Sequence, residues 1–251
     1  MIMNLKKKIR YKNNYIFWIT NPNLINIEIA INKNFFDIFV IDLEHSLISV
    51  DEIKSIVMIL KQKKIPIFMR FADFNFKEIP KFLDFGINGL IVANVDSQKK
   101  LDHIKDVSLY LKKGHRGVGL GRMNNHGDNF KDYLKRSNND VVILPMIEKN
   151  ISLNDVENIY SDQSVDGCLI GPYDLSMSLG KPGDFYNPEF KKIKNFMIKM
   201  KKKYKKAAGI HFMDHDLTKI SSIRKEGFNF LPILTDVQIF KRGINFEINK
   251  K

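Results

Sequence analysis

One stretch of this sequence decides its fold: Val165-Asp166-Gly167-Cys168-Leu169-Ile170-Gly171-Pro172-Tyr173-Asp174-Leu175-Ser176. Its short apolar run ends abruptly at Gly171-Pro172, and an acid and a serine follow where a helix would begin. A buried parallel strand of an α/β fold ends in this way when it delivers a carboxylate to the mouth of the fold. An upstream apolar run, residues 141–147, ends in Glu148, so we expect Glu148 and Asp174 to meet at strand ends.

Two acids that converge at strand ends indicate a metal site. Hard divalent cations prefer carboxylate oxygens, and Mg²⁺ keeps several water positions that a substrate can take. The sequence therefore predicts that Glu148 and Asp174 bind a divalent metal cation, which we expect to be Mg²⁺, Mn²⁺ or Co²⁺.

The rest of the chain repeats the same alternation of a strand and a helix. About eight such alternations in 251 residues predict a (β/α)₈ TIM barrel of the α/β class, formed as a single domain over residues 1–251. No G-x-G-x-x-G follows the first strand, which argues against a dinucleotide-binding fold. Residues 235–251 are expected to form a short charged tail. The predicted strands are residues 15–19, 37–42, 66–69, 89–93, 141–147, 168–170, 207–211 and 230–234.

The composition sets limits on partners and location. Lysine and arginine exceed the acids by 41 − 28 = 13, but the excess is spread over helical stretches and no nucleic-acid-binding motif accompanies it, so we expect no nucleic acid partner. The single cysteine, Cys168, lies in an apolar strand and provides no disulfide framework. The apolar run at residues 15–19 is too short for a signal peptide or a membrane span. We therefore expect a cytoplasmic protein without a membrane partner.

Polar residues recur where the predicted strands end, which is the face that carries the active site of such barrels. Taken singly, Arg70 also fits a structural ion pair, His45 fits a loop imidazole and Asp84 fits a surface acid. Lys149 follows Glu148 and would point away from the barrel interior if Glu148 points into it, which disfavours a lysine imine. Gly171 would let a substrate approach the backbone closely. The strand-end residues are Glu44, His45, Arg70, Glu148, Asp174 and His211.

These residues lie in sequence blocks that resemble one enzyme family. The chain is similar, from about Trp18 to about Asp236, to the HpcH/HpaI-type metal-dependent pyruvate aldolases of the phosphoenolpyruvate/pyruvate barrel superfamily, typified by 4-hydroxy-2-oxoheptanedioate aldolase. The blocks that carry the resemblance are Trp18-Ile19-Thr20, Phe36-Asp37, Ile41-Asp42-Leu43-Glu44-His45-Ser46, Arg70, Leu83-Asp84-Phe85-Gly86, Arg116-Gly117-Val118-Gly119, Ile147-Glu148, Val165-Asp166-Gly167 and Gly171-Pro172-Tyr173-Asp174-Leu175-Ser176.

The resemblance implies a role for each matching residue. Glu148 and Asp174 would bind the metal, and His45 would be the catalytic base, paired with Asp84. Arg70 would contact the pyruvyl oxygens, with Gly171 and Trp18 also binding substrate. It further implies a class II aldolase that cleaves a 4-hydroxy-2-oxo acid to pyruvate and an aldehyde, and a homo-oligomer that is a trimer or a hexamer.

The sequence leaves two other functions open. One is a related lyase that acts on an acyl thioester or on a phosphorylated or sugar-acid substrate, held by the basic loop around Arg116 and Arg122. The other is a basic polyanion-binding protein built on a barrel, which would bind heparin or DNA with a steep salt dependence and release no pyruvate.

Overall fold

A computed structural model describes residues 4–248, which form a closed barrel of eight parallel strands in the order β1 to β8. β8 pairs with β1 through Asn14 and Phe230, which closes the barrel. The predicted single-domain (β/α)₈ fold is therefore confirmed. The strands are β1 Asn14–Ile19, β2 Ile38–Asp42, β3 Ile67–Phe71, β4 Gly89–Val92, β5 Val142–Ile147, β6 Gly167–Ile170, β7 Ala207–Ile210 and β8 Phe230–Pro232.

Alternating side chains along each strand divide the apolar core into two parts. In β3, Ile67 and Met69 pack outward against the helices, whereas Phe68 packs inward with Ile16 and Leu169. Strands of a parallel barrel are buried on both faces, which is why they appear in the sequence as continuous apolar runs. The inward series continues past the last apolar layer to the carboxyl ends of the strands, where it becomes polar.

Eleven α-helices lie within residues 4–248. Ser49 caps α3 as predicted, accepting a hydrogen bond from the backbone N–H of Glu52, and Gly86 ends α4 with a φ of 129°. The helices are α1 Leu5–Tyr11, α2 Leu24–Asn32, α3 Val50–Gln62, α4 Ile79–Phe85, α5 Gln98–Ser108, α6 Phe130–Asp140, α7 Leu153–Ser161, α8 Pro172–Ser178, α9 Pro188–Tyr204, α10 Ile220–Glu226 and α11 Asp236–Ile248. None of them is long and apolar enough to cross a membrane.

Three segments differ from the sequence-based expectation. Helix α1, which was not predicted, covers the amino-terminal end of the barrel with the buried Ile9, and its Arg10 Nη2 lies 2.6 Å from the buried Asp166 Oδ1. The connection from α5 to β5 contains the unpredicted α6. In place of the expected charged tail, α11 begins at Asp236, whose carboxylate accepts hydrogen bonds from Thr20 and Asn21. The last part of that tail, residues 249–251, lies outside the described residues.

Candidate active site

Polar side chains occupy the inward positions at the mouth of the barrel. Trp18, Asp42 and Arg70 continue the inward series of β1, β2 and β3, and Glu148, Gly171 and His211 follow β5, β6 and β7. The sequence predicts that Arg70 ends β3. The structure places it inside the strand, because Phe71 continues the pairing with β4. The parallel register therefore gathers these side chains at one end of the molecule.

Arg70 is held by a carboxylate that the sequence analysis did not select. Its Nε lies 2.9 Å from Asp42 Oδ1, and its Nη2 donates to Asp42 Oδ2. Burial on its own raises the pKa of Asp42, but the hydrogen bonds and charge of Arg70 outweigh it, so the pKa is lowered. The two groups thus form a bidentate ion pair in which both stay charged. The alternative that Arg70 belongs to a structural ion pair at the mouth is compatible with this contact.

Two of the five N–H groups of Arg70 donate hydrogen bonds to Asp42. Nη1 lies 3.0 Å from Glu44 Oε2 and forms an ion pair with it, without a hydrogen bond. An arginine fork has five donors, so within residues 4–248 one N–H on Nη2 and both on Nη1 are left for another acceptor. Arg70 can therefore still bind the oxygens of a small anion while Asp42 fixes its orientation.

Trp18 contacts both members of the ion pair between Arg70 and Asp42. Its Nε1–H donates to Asp42 Oδ2 at 3.1 Å, and the Arg70 Cζ lies 5.2 Å from the centre of the indole ring. The ring of His211 lies 4.7 Å from that of Trp18. Trp18 is thus part of the mouth, and its contacts position the two charged groups.

The loop after β2 is shaped by Asp42. Its Oδ1 accepts hydrogen bonds from the backbone N–H groups of Glu44 at 2.9 Å and His45 at 3.2 Å. This turn directs Glu44 inward and leaves the His45 side chain 61% exposed, with its Nε2 4.0 Å from Glu44 Oε2. Within residues 4–248, no hydrogen bond reaches Glu44 Oε2, which is buried. Burial raises the pKa of Glu44. The positive charges of Arg70 and His45 lower this pKa, and the negative charges of Asp42 and Asp174 raise it further.

Glu148 is a buried carboxylate with only 4% exposure. Its Oε2 accepts a hydrogen bond from the Asn94 backbone N–H at 2.8 Å. Burial raises the pKa of Glu148 to about 7. The hydrogen bond from Asn94 and the charge of Arg70 lower this pKa, but together they do not offset burial and the smaller raising effects of Glu44 and Asp174. The charged form of Glu148 thus lacks a sufficient positive partner in the chain itself.

The donor set at the mouth fits a hard divalent cation. Asp42 already neutralises Arg70, so Glu44, Glu148 and Asp174 form an excess of negative charge. A Cβ on Gly171 would lie 2.7 Å from Glu148 Oε1, so only glycine leaves that oxygen uncovered. Asp174 is exposed in the first turn of α8, and no hydrogen bond or ion pair within the described chain engages its carboxylate.

The two predicted ligands would need help to hold a cation. Within residues 4–248, no group of three or more His, Cys, Asp or Glu side chains is arranged to hold a metal ion. Mg²⁺ in proteins is commonly held by one or two carboxylates, with water and substrate oxygens completing its six positions. Glu148 and Asp174 would therefore hold the ion as a pair, with water and substrate oxygens completing its shell.

The predicted pairing of Asp84 with His45 is not formed within one chain. Asp84 lies in the last turn of α4, which runs back from the mouth towards the start of β4. Its Oδ1 accepts a hydrogen bond from Arg116 Nη2, and a Cβ on Gly119 would collide with Oδ2. The sequence could not show this, because the contact depends on how the loop after α5 folds against α4. A catalytic role for Asp84 stays a prediction that no contact in the chain supports.

The basic loop does not serve as a phosphate site at the mouth of its own barrel. The Arg116 side chain is fully buried, pairs with Asp84 and stacks over Tyr110 at 4.7 Å. The loop connects a helix to the following strand, and such connections lie on the face opposite the active site. Arg116 is therefore already engaged within the single chain, and a phosphorylated or sugar-acid substrate held by the loop around Arg116 and Arg122 stays a prediction.

The expected orientation of Lys149 is confirmed. Its Nζ lies 2.9 Å from Asp96 Oδ2, and its side chain is about half exposed. It therefore points away from the interior position that Glu148 occupies, which leaves it unsuited to form an imine with a substrate bound there.

Sequence reasoning noted His211 without assigning it a role, and it did not select Asp42. Extending the strict alternation of β2 and β7 by one inward step reaches both residues, so the periodicity contained a usable signal.

Comparisons with known proteins identify the family of this chain. The family model described as HpcH/HpaI aldolase/citrate lyase matches residues 14–242. A 2-keto-3-deoxy-L-rhamnonate aldolase from Klebsiella pneumoniae subsp. pneumoniae is 26% identical over 230 residues, which cover 91% of this chain and 85% of the relative. A 5-keto-4-deoxy-D-glucarate aldolase from the same organism is 28% identical over 193 residues, which cover 77% of this chain and 75% of the relative.

A solved structure shows the same fold. The HpcH/HpaI aldolase from Desulfitobacterium hafniense DCB-2 superposes with a TM-score of 0.87 at 22% identity, covering 99% of this chain and 96% of that one. The family match spans nearly the whole barrel, including every strand-end residue described above. The chain therefore belongs to the HpcH/HpaI aldolase/citrate lyase family and is a carbon–carbon lyase.

Proposed function

We propose that this protein is a class II aldolase that reversibly cleaves a 4-hydroxy-2-oxo acid to pyruvate and an aldehyde, using a divalent cation held by Glu148 and Asp174. The observation that carries the proposal is the uncompensated carboxylate cluster beside Arg70 at the barrel mouth. The two curated relatives act on deoxy keto sugar acids, which supports a substrate of that class.

The substrate would bind against the inward-facing side chains. The N–H groups of Arg70 that make no hydrogen bond within residues 4–248 would bind the pyruvyl oxygens. Gly171 leaves the space beside Glu148 that a substrate needs to reach the carboxylates. A bound divalent cation would supply Lewis-acid stabilisation of the negative charge that develops on the 2-oxo oxygen. Arg70 adds a fixed positive charge at the same oxygen, because Asp42 prevents its rotation.

His45 is the side chain proposed to move the proton. It is exposed at the mouth, and its backbone is fixed by Asp42. As the C3–C4 bond breaks, the 4-hydroxyl group gives its proton to the imidazole and becomes the aldehyde oxygen, while the bonding electrons pass to C3 and form the enolate of pyruvate. The proton that His45 has taken then returns to C3, directly or through water, which completes pyruvate and restores the neutral imidazole. A base of this kind typically contributes about 10²–10⁴-fold to the rate.

The test is a pyruvate-release screen over 4-hydroxy-2-oxo acids, including 2-keto-3-deoxy sugar acids. We expect release from at least one acid, its loss in EDTA and its recovery with Mg²⁺, Mn²⁺ or Co²⁺. The variant His45→Ala should lose about 10²–10⁴-fold in kcat. The variant His126→Ala, which changes a histidine in the connection from α5 to β5, is the matched control and should keep the parental rate.

Two results would contradict the proposal. Activity that persists in EDTA while borohydride traps a covalent adduct would indicate an imine enzyme. If no pyruvate is released from any of these acids with any of the cations, the protein does not catalyse the proposed reaction.

A further inference from the structure

The imidazole of His211 is fixed in one tautomer. Its Nε2 lies 2.9 Å from the carbonyl oxygen of Leu234, which can only accept, so Nε2 carries the hydrogen and donates. Burial lowers the pKa of His211 to about 4, and the charge of Arg70 acts in the same direction against the bond to Leu234. The ring is therefore neutral near pH 7, and its Nδ1 is a hydrogen-bond acceptor. Within residues 4–248, no hydrogen bond is made to Nδ1. This nitrogen is not fully buried either, so a ligand can reach it.

The surrounding backbone keeps this ring in place. Leu234 has a φ of 52°, in the left-handed region that a leucine rarely occupies. Its N–H donates to the carbonyl oxygen of Phe212 at 2.8 Å, so the strained residue is held from both sides. Trp18 packs on the other side of the imidazole. A ring held by a strained backbone and an aromatic contact is typical of a functional position rather than a loosely packed one.

His211 lines a cavity between the segments that follow β6 and β7. The cavity has a volume of about 450 Å³, and Pro172 and Tyr173, which directly precede Asp174, form part of its wall. The rings of Tyr173 and Phe185 are 5.2 Å apart, and Phe212 also lines the space. Aromatic rings thus form part of the wall, together with charged side chains such as Lys194 and Glu226. His211 also packs on Trp18 and feels the charge of Arg70, so it connects this cavity with the barrel mouth where the substrate would bind.

We propose that His211 Nδ1 accepts a hydrogen bond from a hydroxyl group on the aldehyde half of the substrate, so that the enzyme selects hydroxylated aldehydes over deoxygenated ones. This inference rests on the proposed aldolase function and names a specificity-determining residue for it. A site that is built to bond a hydroxyl group discriminates against the analogue that lacks it, because its polar group is then left without a partner.

The experiment measures aldol addition of pyruvate to propanal, 2-hydroxypropanal and 3-hydroxypropanal, which differ only in one hydroxyl group. The parent should favour at least one hydroxylated aldehyde over propanal in kcat/KM. His211→Leu should reduce that preference by about tenfold. His211→Gln, which keeps an acceptor, should retain most of it. His103→Leu makes the same change at an exposed histidine on α5, away from this cavity, and should leave the preference unaltered.

A second readout separates this inference from the aldolase assignment. Exchange of the pyruvate methyl protons with deuterium in D₂O needs no aldehyde, and its rate normalises the addition rates of each variant. An unchanged preference in His211→Leu, or an equal loss in His211→Gln, would overturn the role of Nδ1. A loss of exchange in proportion to addition would make His211 a support for Trp18 instead. If the parent shows neither exchange nor addition with any divalent cation, the proposed function itself fails.

Discussion

At the scale of single residues, Glu148 shows how the site is prepared for a cation. Its carboxylate is buried, has one backbone hydrogen bond and lies near the charges of Glu44 and Asp174. Because the pKa of Glu148 is raised to about 7, its carboxyl group stays protonated to a higher pH in the folded protein than in the unfolded chain. In metal-free protein, the contribution of Glu148 to stability therefore falls as the pH rises from about 4.5 to about 7. A bound cation would offset this loss of stability, because it stabilises the charged carboxylate.

The variant Glu148→Gln tests this account through stability. In EDTA at pH 8 the variant should be more stable to urea than the parent, by at most about 3 kcal/mol, because it removes a buried charge. At pH 5 the two should differ little. With saturating Mg²⁺ at pH 8 the order should reverse, because only the parent gains binding energy.

Glu28→Gln, on the exposed face of α2, is the control and should show no such pH dependence. A Glu148→Gln variant less stable than the parent at pH 8 in EDTA would mean that the charged form of Glu148 is already well accommodated.

Single residues also show where sequence reasoning succeeded and where it stopped. Glu148 and Arg70 were placed at the mouth because strand periodicity and strand ends determine which side chains face inward. Asp84 was paired with His45 from resemblance alone, and in the chain it lies at the end of α4 beside Arg116. Such a partner depends on the packing of a distant loop, which no local pattern encodes.

At the scale of elements, α11 presents an apolar stripe to solvent. Val237, Phe240 and Ile244 are spaced along one face of the helix, and all are exposed. Ile29 on α2 is also exposed and lines the same groove as Phe240. A contiguous exposed apolar surface of this kind typically marks an interface. We expect a second copy of this chain to cover it, consistent with the oligomer that the family resemblance implies.

The oligomer is tested by molar mass in solution. The parent should elute as a trimer or hexamer in size-exclusion chromatography with light scattering. The double variant Phe240→Asp with Ile244→Asp should elute as a smaller species, because charges would be buried without partners at the interface. Met58→Asp, at an exposed apolar residue on α3, should keep the parental mass. A monomeric parent, or an unchanged mass for the double variant, would contradict this role of α11.

The charged appearance of residues 235–251 concealed this helix. Its 3.6-residue apolar spacing is present in the sequence, but it is short and interrupted by charged residues, so the apolar face is weak. The same limit applied to α6, whose polar sequence buries little beyond Tyr133 and Ser137. Elements with a weak apolar face are the ones that single-sequence periodicity misses.

At the scale of the whole molecule, the barrel was predictable because its strands are buried on both faces and appear as apolar runs at regular intervals. The closure of the amino-terminal end by α1 was not predictable in this way. It depends on the buried Ile9 and on the contact between Arg10 and Asp166. Arg10 and Asp166 are 156 positions apart in the sequence. The family match covers this same barrel.

The most direct test of the central claim is the binding of Mn²⁺, followed by the electron paramagnetic resonance of the free ion. The parent should bind one Mn²⁺ per chain, and His45→Ala should bind it equally well. Glu148→Gln and Asp174→Asn should each weaken binding by about tenfold or more, since each removes one of two protein ligands. Parental Mn²⁺ affinity in both of these variants would show that the two carboxylates do not hold the metal, and the account of this enzyme would then be wrong.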